Sequence, residues 1–293
     1  MPWEYIVMSA IQSVSRLGTV VMDPLFAFFT FLGEETFLLV AVFSIYWCGN
    51  KKFGEYLFLS LYSSIAANGI LKDLVRRPRP FLTPGWEELR YVQIDNPLIN
   101  TVSLGESFSF PSGHSQCAGG FFTAVALWVR KRWVTVLAVL AILAVMTSRV
   151  YLGVHFLGDV LVGAALGIIA SLVSWWFFER YYHCKVALFA CAVGISCVAL
   201  LLSPSPDTVK TIGVGIGALG GMALEDRKVH FTTNGPVGGK VLRLVMGAAI
   251  LMVIRAGLKL VLPDALIFDG LRYAVVGFAA TGLWPWAFTA LGL

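Results

Sequence analysis

Charged side chains are scarce in this sequence. Asp, Glu, Lys and Arg make up 13% of its 293 residues, hydrophobic residues make up 58%, and the mean hydropathy is +0.79. Soluble globular domains carry about 25% charged residues, so the composition excludes an ordinary water-soluble domain. The chain is therefore predicted to be a membrane protein.

Patterns that mark several other classes are also missing. The five cysteines show neither metal-like nor redox-like spacing. The net charge is +5, but the basic residues are divided among short loops without interleaved aromatic residues, so we predict no nucleic-acid partner. The amino terminus has neither a basic region nor a small-residue cleavage pattern, so we expect no removable signal peptide.

Long apolar runs are abundant. A helix needs about 20 apolar residues to cross the hydrocarbon core of a bilayer. Runs of about this length predict membrane-spanning helices, and the fold class is predicted to be all-α, a polytopic membrane helical bundle. The runs lie at 24–48, 54–75, 114–130, 133–151, 156–178, 186–202, 208–224, 241–262 and 270–292.

Basic residues between these runs predict the orientation in the membrane. Cytoplasmic loops of membrane proteins carry an excess of Lys and Arg. If the amino terminus is outside, the inner loops contain most of the basic loop residues: Lys51, Lys52, Arg130, Lys131, Arg132, Arg180, Lys185, Arg227, Lys228, Lys240 and Arg243. The long connection 76–111 and the junction of the fourth and fifth runs then lie on the outer side.

Three polar clusters lie at the ends of apolar runs on this predicted outer side. They comprise Lys72 and Arg79, then Ser112, Gly113 and His114, and finally Arg149, His155 and Asp159. Ionisable groups inside a span cost about 2.5–3.5 kcal/mol each on insertion scales. Several of them on one side of the membrane therefore indicate a functional site.

These residue types suit the binding and transfer of a phosphoryl group. Lys and Arg bind phosphate oxygens, and free N–H groups at a helix start bind anions. His155 and Asp159 are four residues apart and would share a helix face, so the carboxylate could orient the imidazole as a nucleophile. His114 could donate a proton to the leaving group. Simple neutralisation of His155 by Asp159 is an equally good interpretation of that pair alone.

Taken together, the clusters resemble the signature of the type 2 phosphatidic acid phosphatase (PAP2) superfamily. In that signature, Lys is followed seven residues later by Arg-Pro, then by Pro-Ser-Gly-His, and then by Ser-Arg with His and Asp downstream. The matching positions are Lys72, Arg79, Pro80, Pro111, Ser112, Gly113, His114, Ser148, Arg149, His155 and Asp159. The layout of nine runs also resembles the sphingosine-1-phosphate phosphatase branch.

The resemblance implies a division of labour among these residues. His155 would attack phosphorus, Asp159 would orient His155, and His114 would protonate the leaving alcohol. The phosphoryl oxygens would be held by Lys72, Arg79, Ser112, Gly113 and Arg149. Neither a metal nor another cofactor is implied. Residues 1–23 are predicted to be an interfacial segment, 24–202 a six-helix phosphatase core, and 203–293 a transmembrane extension.

The predicted function is metal-independent hydrolysis of a lipid phosphomonoester or diphosphate, through a phosphohistidine, at the extracytoplasmic or lumenal face. The predicted partners are the lipid phosphate substrate and the bilayer. A lipid phosphotransferase, a non-enzymatic carrier, and a haloperoxidase-like or sugar-phosphate use of the same site are the alternatives. The sequence contains no Asn-x-Ser/Thr glycosylation site, which favours a bacterial inner membrane over the endoplasmic reticulum.

Several polar or small residues lie outside this signature. Gly213, Gly217 and Gly221 share one helix face and predict close helix packing. Arg255 and Lys259 lie inside an apolar run, and we expect a structural ion pair with an acidic residue. The candidate acidic residues are Asp264, Asp269 and Glu225.

Two further sets of charges lie outside these clusters. Arg76, Arg77 and Arg90 are expected to extend toward lipid headgroups. Glu34 and Glu35, inside the first apolar run, have no assigned role, and a contact with the basic site is one interpretation.

Overall fold

The computed structural model describes residues 2–13, 19–83, 107–201 and 205–293. Over these residues the regular secondary structure is helical, without any strand, which confirms the predicted all-α class. The helices are α1 (Pro2–Gln12), α2 (Thr19–Phe31), α3 (Glu35–Ser44), α4 (Lys51–Val75), α5 (Gly113–Val129), α6 (Arg132–Tyr151), α7 (Leu157–Tyr181), α8 (Lys185–Leu200), α9 (Pro206–Leu224), α10 (Val237–Val261), α11 (Leu266–Phe278) and α12 (Trp284–Ala290).

Each predicted apolar run coincides with a helix or with two consecutive helices, but the helices at 54–75, 114–130 and 208–224 are not among those long and apolar enough to cross a membrane, so the prediction of a span at each run is not confirmed there. Among the described residues, four helices are long and apolar enough to cross a membrane: Arg132–Tyr151, Leu157–Val198, Val237–Val261 and Leu266–Ala290. The pair Val21–Phe31 and Glu35–Gly49, bent by 53°, makes a fifth if it counts as one span. Leu157–Val198 contains two of the predicted runs, because α7 and α8 are joined only by the short 3-10 turn Tyr182–Cys184.

The chain forms two compact units. The first contains residues 1–38 and 71–173, and the second contains 39–70 and 174–293. The domain bounds expected from the sequence follow the order of the chain, and they stay a prediction.

In the first unit, α6 packs against α1, α2 and α5. Met8 of α1 is buried with Val150 and Phe156 near the end of α6. The Phe26 ring of α2 stacks on Tyr151 at a centroid distance of 3.9 Å. Apolar packing therefore gathers the amino-terminal helices around the carboxyl end of α6.

Helices α5 and α7 approach each other backbone to backbone. A Cβ atom at Gly163 would lie 2.6 Å from the carbonyl oxygen of Ser112, and one at Gly167 would lie 2.0 Å from that of Gln116. No larger residue fits without displacing a helix. The amino-terminal end of α5 is therefore held against the amino-terminal part of α7.

The second unit shows the close packing predicted for the glycine stripe. Cβ atoms at Gly213 and Gly217 would lie 2.3 Å and 1.8 Å from carbonyl oxygens of α11. One at Gly221 would lie 2.1 Å from Thr281 Oγ1. The prediction of close helix packing by these glycines is confirmed.

Charged groups buried in the second unit have partners there. Glu55 accepts hydrogen bonds from Lys185 and Tyr182 at 2.8 Å and 2.9 Å. Glu225 pairs with Lys51. Arg243 donates to the main-chain oxygens of Trp47, Thr232, Asn234 and Leu293. Each of these charged groups therefore has at least one hydrogen-bond partner inside the unit, although Glu225 Oε2 and Arg243 Nε are buried without one.

The expected ion pair of Arg255 or Lys259 is wrong for the described residues. Asp269 pairs with Arg272, three residues away, at 2.6 Å, and Glu225 is taken by Lys51. Arg255 lies 5.9 Å from the centre of the Tyr273 ring, and both basic residues are exposed. Because closer basic residues hold those carboxylates, the two exposed cations form no salt bridge within the described part of the chain.

Candidate active site

All eight predicted site residues lie in the first unit, at the ends of its helices. Lys72 is in the last turn of α4, Arg149 in that of α6, and Ser112, Gly113 and His114 lie at the start of α5. Arg79 precedes the turn Pro80–Leu82, and His155 and Asp159 lie at the start of α7. Arg79, Arg149 and His155 are each 2% exposed, and Ser112 and Asp159 are fully buried.

Ser112 fixes the start of α5. Its Oγ accepts hydrogen bonds from the backbone N–H and the hydroxyl of Ser115, as an N-cap residue does. Its own backbone N–H donates to the carbonyl oxygen of Asp159 at 3.0 Å. This main-chain hydrogen bond connects the second and third polar clusters. The Ser112 hydroxyl is engaged in capping in this structure.

The expectation that His155 and Asp159 share a helix face is wrong. Helix α7 begins at Leu157, so His155 lies in the preceding turn. The helix begins there because Asp159 Oδ2 accepts the backbone N–H of Phe156 at 2.9 Å, which satisfies a free amide of the first turn. Asp159 Oδ2 lies 3.7 Å from His155 Nδ1, beyond ordinary hydrogen-bond distance.

Ser109 lies between these two side chains. Its hydroxyl is 2.5 Å from Asp159 Oδ2 and 3.4 Å from His155 Nδ1. A carboxylate can only accept, so the Ser109 hydroxyl donates to Asp159, and Nδ1–H of His155 donates to Ser109. Ser109 therefore bridges Asp159 and the imidazole of His155. Sequence reasoning missed Ser109 because the second serine of "SFSFPSGH" is not part of any recognised motif.

The other imidazole nitrogen of His155 carries a lone pair. Arg79 Nη1 lies 3.3 Å from His155 Nε2, and a guanidinium has no acceptor, so Nε2 is the acceptor. Burial holds the pKa of His155 well below its usual range. The positive charges of Arg79, Arg149 and Lys72 act in the same direction. His155 is therefore neutral at pH 7, with its lone pair at the cationic side of the site.

Arg79 is held rigidly by neutral groups. It donates to the carbonyl oxygens of Ser107 and Val154 at 3.0 Å and 3.1 Å, and to the Ser107 hydroxyl at 2.6 Å. Burial lowers the pKa of Arg79 to about 10, and the charge of Asp159 opposes this effect. Arg79 is therefore cationic at neutral pH, without a carboxylate in contact among the described residues.

Arg149 is the second buried cation of the site. Its Nε is buried and has no hydrogen-bond partner within the described part of the chain. Charged hydrogen-bond donors are costly to bury without acceptors. Arg243 and Arg272 of the second unit have the same feature, so the unpartnered Nε of Arg149 is consistent with an anion site but does not by itself mark one.

The expectation that Arg77 extends toward headgroups is wrong. Its two terminal nitrogens contact Asp159 Oδ1 at 2.8 Å and Glu4 Oε2 at 2.5 Å, and its guanidinium stacks on the Phe156 ring. Glu4, 2% exposed, also accepts the backbone N–H of Gly158 at 3.2 Å. Two buried carboxylates attract Arg77 more strongly than solvent does. Arg76 is exposed, and Arg90 lies outside the described residues.

Glu34 contacts the basic site, which confirms the interpretation left open for it. Its Oε2 lies 2.9 Å from His114 Nε2. The sequence signal was a carboxylate inside an apolar run, but the run gave no indication of its partner. Thus Asp159 and His114 each have a carboxylate or cation partner outside the recognised signature.

No group of three or more His, Cys, Asp and Glu side chains suited to a metal ion occurs among the described residues. The donors gathered around His155 are mostly cationic or neutral. The absence of a metal requirement stays a prediction that can be tested directly.

Comparison with known protein families identifies the class. Residues 54–183 match the PAP2 superfamily model, and residues 209–293 match the model of the PAP2 superfamily phosphatase transmembrane extension. The chain belongs to the PAP2 superfamily. It is a phosphatase of this type and an integral membrane protein with several spans.

Individual relatives cover different parts of the chain. Phosphatidylglycerophosphatase B of Bacillus subtilis is 28% identical over 59% of this chain and 86% of its own length. Sphingosine-1-phosphate phosphatase 1 of Rattus norvegicus is 23% identical over 96% of this chain and 75% of its own length. The crystal structure of a PAP2-type phosphatidylglycerolphosphate phosphatase from Bacillus subtilis is 26% identical, covers 60% of this chain and 87% of its own, and has a TM-score of 0.44.

Proposed function

We propose that this protein hydrolyses the phosphomonoester of a membrane lipid through a phosphohistidine on His155. The observation that carries the proposal is the contact between Arg79 and Nε2 of a buried, neutral His155. This contact places a nucleophilic lone pair beside a fixed cation. A phosphoryl group bound by that cation would present its phosphorus to the imidazole.

In the first half-reaction, His155 Nε2 attacks phosphorus and the bond from phosphorus to the lipid oxygen breaks. Arg79, Arg149 and Lys72 stabilise the charge on the phosphoryl oxygens, and the free N–H groups at the start of α5 add donors. His114 gives a proton to the departing alcohol. Ser109 and Asp159 stabilise the positive charge that develops on His155.

In the second half-reaction, water attacks the phosphohistidine. His114, which has lost its proton, accepts one from this water. The bond between phosphorus and Nε2 breaks, inorganic phosphate leaves, and His155 returns to its neutral form. No step in this sequence draws on a metal ion.

A lipid substrate fits the position of the site at the ends of helices in a membrane protein. The Bacillus subtilis and Rattus norvegicus relatives are named for lipid monophosphates. The rat relative aligns with nearly the whole chain, including the extension. The basic inner loops favour a site that faces outward or into a lumen. We propose a bacterial inner membrane first and the endoplasmic reticulum second.

The test is a phosphate-release assay of the purified protein in lipid nanodiscs, with excess chelator. The panel contains phosphatidate, phosphatidylglycerophosphate, a sphingoid-base phosphate and a polyprenyl diphosphate. We expect release from at least one monophosphate, competition by vanadate, and loss by several orders of magnitude in His155→Ala. Quenching with alkaline denaturant after addition of ³²P-labelled lipid should trap a labelled wild-type protein, and this label should be stable to base and labile to acid.

Three outcomes would contradict the proposal. Release that requires an added metal ion would remove the metal-free mechanism. Full activity of folded His155→Ala would remove the nucleophile. Transfer of label to a second lipid, without entry of oxygen from ¹⁸O-water into free phosphate, would identify a phosphotransferase.

A further inference from the structure

The carboxylate of Glu34 forms a hydrogen bond with the imidazole of His114. Its Oε2 is 2.9 Å from His114 Nε2, and 43% of the Glu34 side chain is exposed against 24% for His114. The pair therefore lies at the accessible side of the site. His155, by comparison, is 2% exposed.

The fold delivers this carboxylate through a break in the first apolar run. Helix α2 ends at Phe31, α3 begins at Glu35, and the two are bent by 53°. The break is pressed against the site, since a Cβ at Gly33 would lie 2.7 Å from Val145 Cγ1 and 3.0 Å from the carbonyl oxygen of His114. Only glycine allows this approach. A hydrogen bond of 2.8 Å between Thr30 and Ser148 fixes the turn before the break.

Two cations of the site act on His114. They are Arg149 from α6 and Lys72 from α4. Cations repel a proton on an imidazole, yet a general acid must hold one before it can donate it. The carboxylate that faces His114 is Glu34.

We propose that Glu34 is a positioning residue that increases the proton affinity of His114, so that His114 can protonate the departing lipid alcohol. The inference rests on the proposed function, because it assigns a role within the same reaction. Glu34 holds one imidazole nitrogen through a charged hydrogen bond. The proton on the other nitrogen passes to the oxygen that leaves phosphorus, and the neutral imidazole then accepts a proton from water.

This role depends on the leaving group. A lipid alkoxide is a strong base and needs a proton as its bond to phosphorus breaks. The p-nitrophenolate ion is a weak base and departs without one. A loss of general-acid catalysis therefore slows lipid hydrolysis and spares hydrolysis of p-nitrophenyl phosphate, whereas damage to the fold slows both.

The experiment compares Glu34→Gln, Glu34→Asp and the neighbouring control Glu35→Gln in nanodiscs. Both glutamine variants remove one negative charge at the same bend, and Glu34 is the residue that contacts His114 Nε2 at 2.9 Å. Each protein is assayed from pH 5 to pH 9 with the best lipid substrate of the panel and with p-nitrophenyl phosphate.

We expect Glu34→Gln to lower kcat for the lipid about 10- to 100-fold, part of the general-acid contribution. Its kcat for p-nitrophenyl phosphate should change less than threefold. The alkaline limb of its lipid profile should move to lower pH by about one unit or more, because the loss of Glu34 favours the neutral imidazole. Glu34→Asp should recover part of the rate, and Glu35→Gln should not reproduce the difference between the two substrates.

Equal losses with both substrates, or an unchanged alkaline limb, would overturn the role of Glu34. Wild-type rates in Glu34→Gln would do the same. These results differ from failure of the proposed function, in which the wild-type protein itself releases no lipid phosphate or His155→Ala stays active.

Discussion

The two units treat buried charge differently. In the second unit, Glu55 and Glu225 pair with lysines, and Arg243 is surrounded by main-chain oxygens. In the first unit, Arg79 and Arg149 have no carboxylate in contact among the described residues, and together with Lys72 they act on the single imidazole of His155. Buried guanidinium nitrogens without a partner occur in both units, at Arg149, Arg243 and Arg272, so the contrast lies in this grouping of cations. Charged groups that neutralise one another stabilise the fold, whereas buried cations in excess of the nearby carboxylates can bind an anion. We expect this difference to separate arginines that support the fold from arginines that bind the substrate.

The largest expected effect comes from exchanging one arginine of each kind for methionine. Arg149→Met should lower kcat/KM about 100- to 1000-fold, because a donor to the phosphoryl group is lost. Its free energy of unfolding should stay equal or rise, since a buried cation without a carboxylate is removed. Arg243→Met should lose on the order of 3 kcal/mol, because four carbonyl oxygens lose their donor.

Phosphate release and denaturant unfolding of both variants in the same nanodiscs measure this contrast. If Arg149→Met unfolds as easily as Arg243→Met and keeps its activity, the distinction between the two units is wrong.

A smaller loss of activity is expected for substitution of Arg77, which forms ion pairs with Glu4 and Asp159 in the first unit. Arg77→Met leaves the buried carboxylates of Asp159 and Glu4 without their cation. It should reduce the free energy of unfolding by about 3 kcal/mol, and kcat by roughly 10-fold as Asp159 shifts.

The double variant Glu4→Gln, Arg77→Met provides the control, because it removes one of the two unpaired charges. It should regain part of the stability lost in Arg77→Met when the two are compared by thermal unfolding. Additive losses in the double variant would show that Glu4 and Arg77 do not act as a pair.

The smallest effect is the pH dependence that His155 imposes on stability. Its pKa is lowered on folding by burial and by neighbouring cations, so the unfolded chain binds the proton more readily. The stabilisation is complete above the unfolded pKa of about 6.5 and is lost as pH falls from there toward the folded pKa. The slope is about 1.4 kcal/mol per pH unit.

Thermal unfolding of wild type and His155→Phe at pH 7 and pH 5 isolates this contribution. The wild type should lose more stability than the variant over this range. Identical losses would show that the His155 pKa is ordinary.

Much of the architecture follows from the sequence, because length and hydropathy of apolar runs are local properties. The glycine stripe at Gly213, Gly217 and Gly221 was equally readable, since its spacing repeats on one helix face. The sequence did not indicate which charged residues pair with one another. Asp269 pairs with Arg272 rather than Arg255, since a residue one helical turn away costs less ordering than a distant one.

The eight candidate site residues could be proposed from their spacing, but the groups around them could not. Ser109 enters the site because His155 leaves the helix, and the sequence shows no sign of that turn. Glu4 reaches Asp159 through Arg77, across more than 70 residues of chain on either side. Such contacts depend on the three-dimensional path of the chain, whereas a motif records only order and spacing.

The backbone contact of α5 with α7 has a consequence for an enzyme that works inside a lipid bilayer. Bilayers vary in thickness, and helices tilt to match them. Because Gly163 and Gly167 leave no side chain between the two helices, α5 and α7 would tilt as one piece. We therefore expect His114 and His155 to keep their spacing, and the rate of phosphate release to stay constant, when the thickness of the bilayer changes.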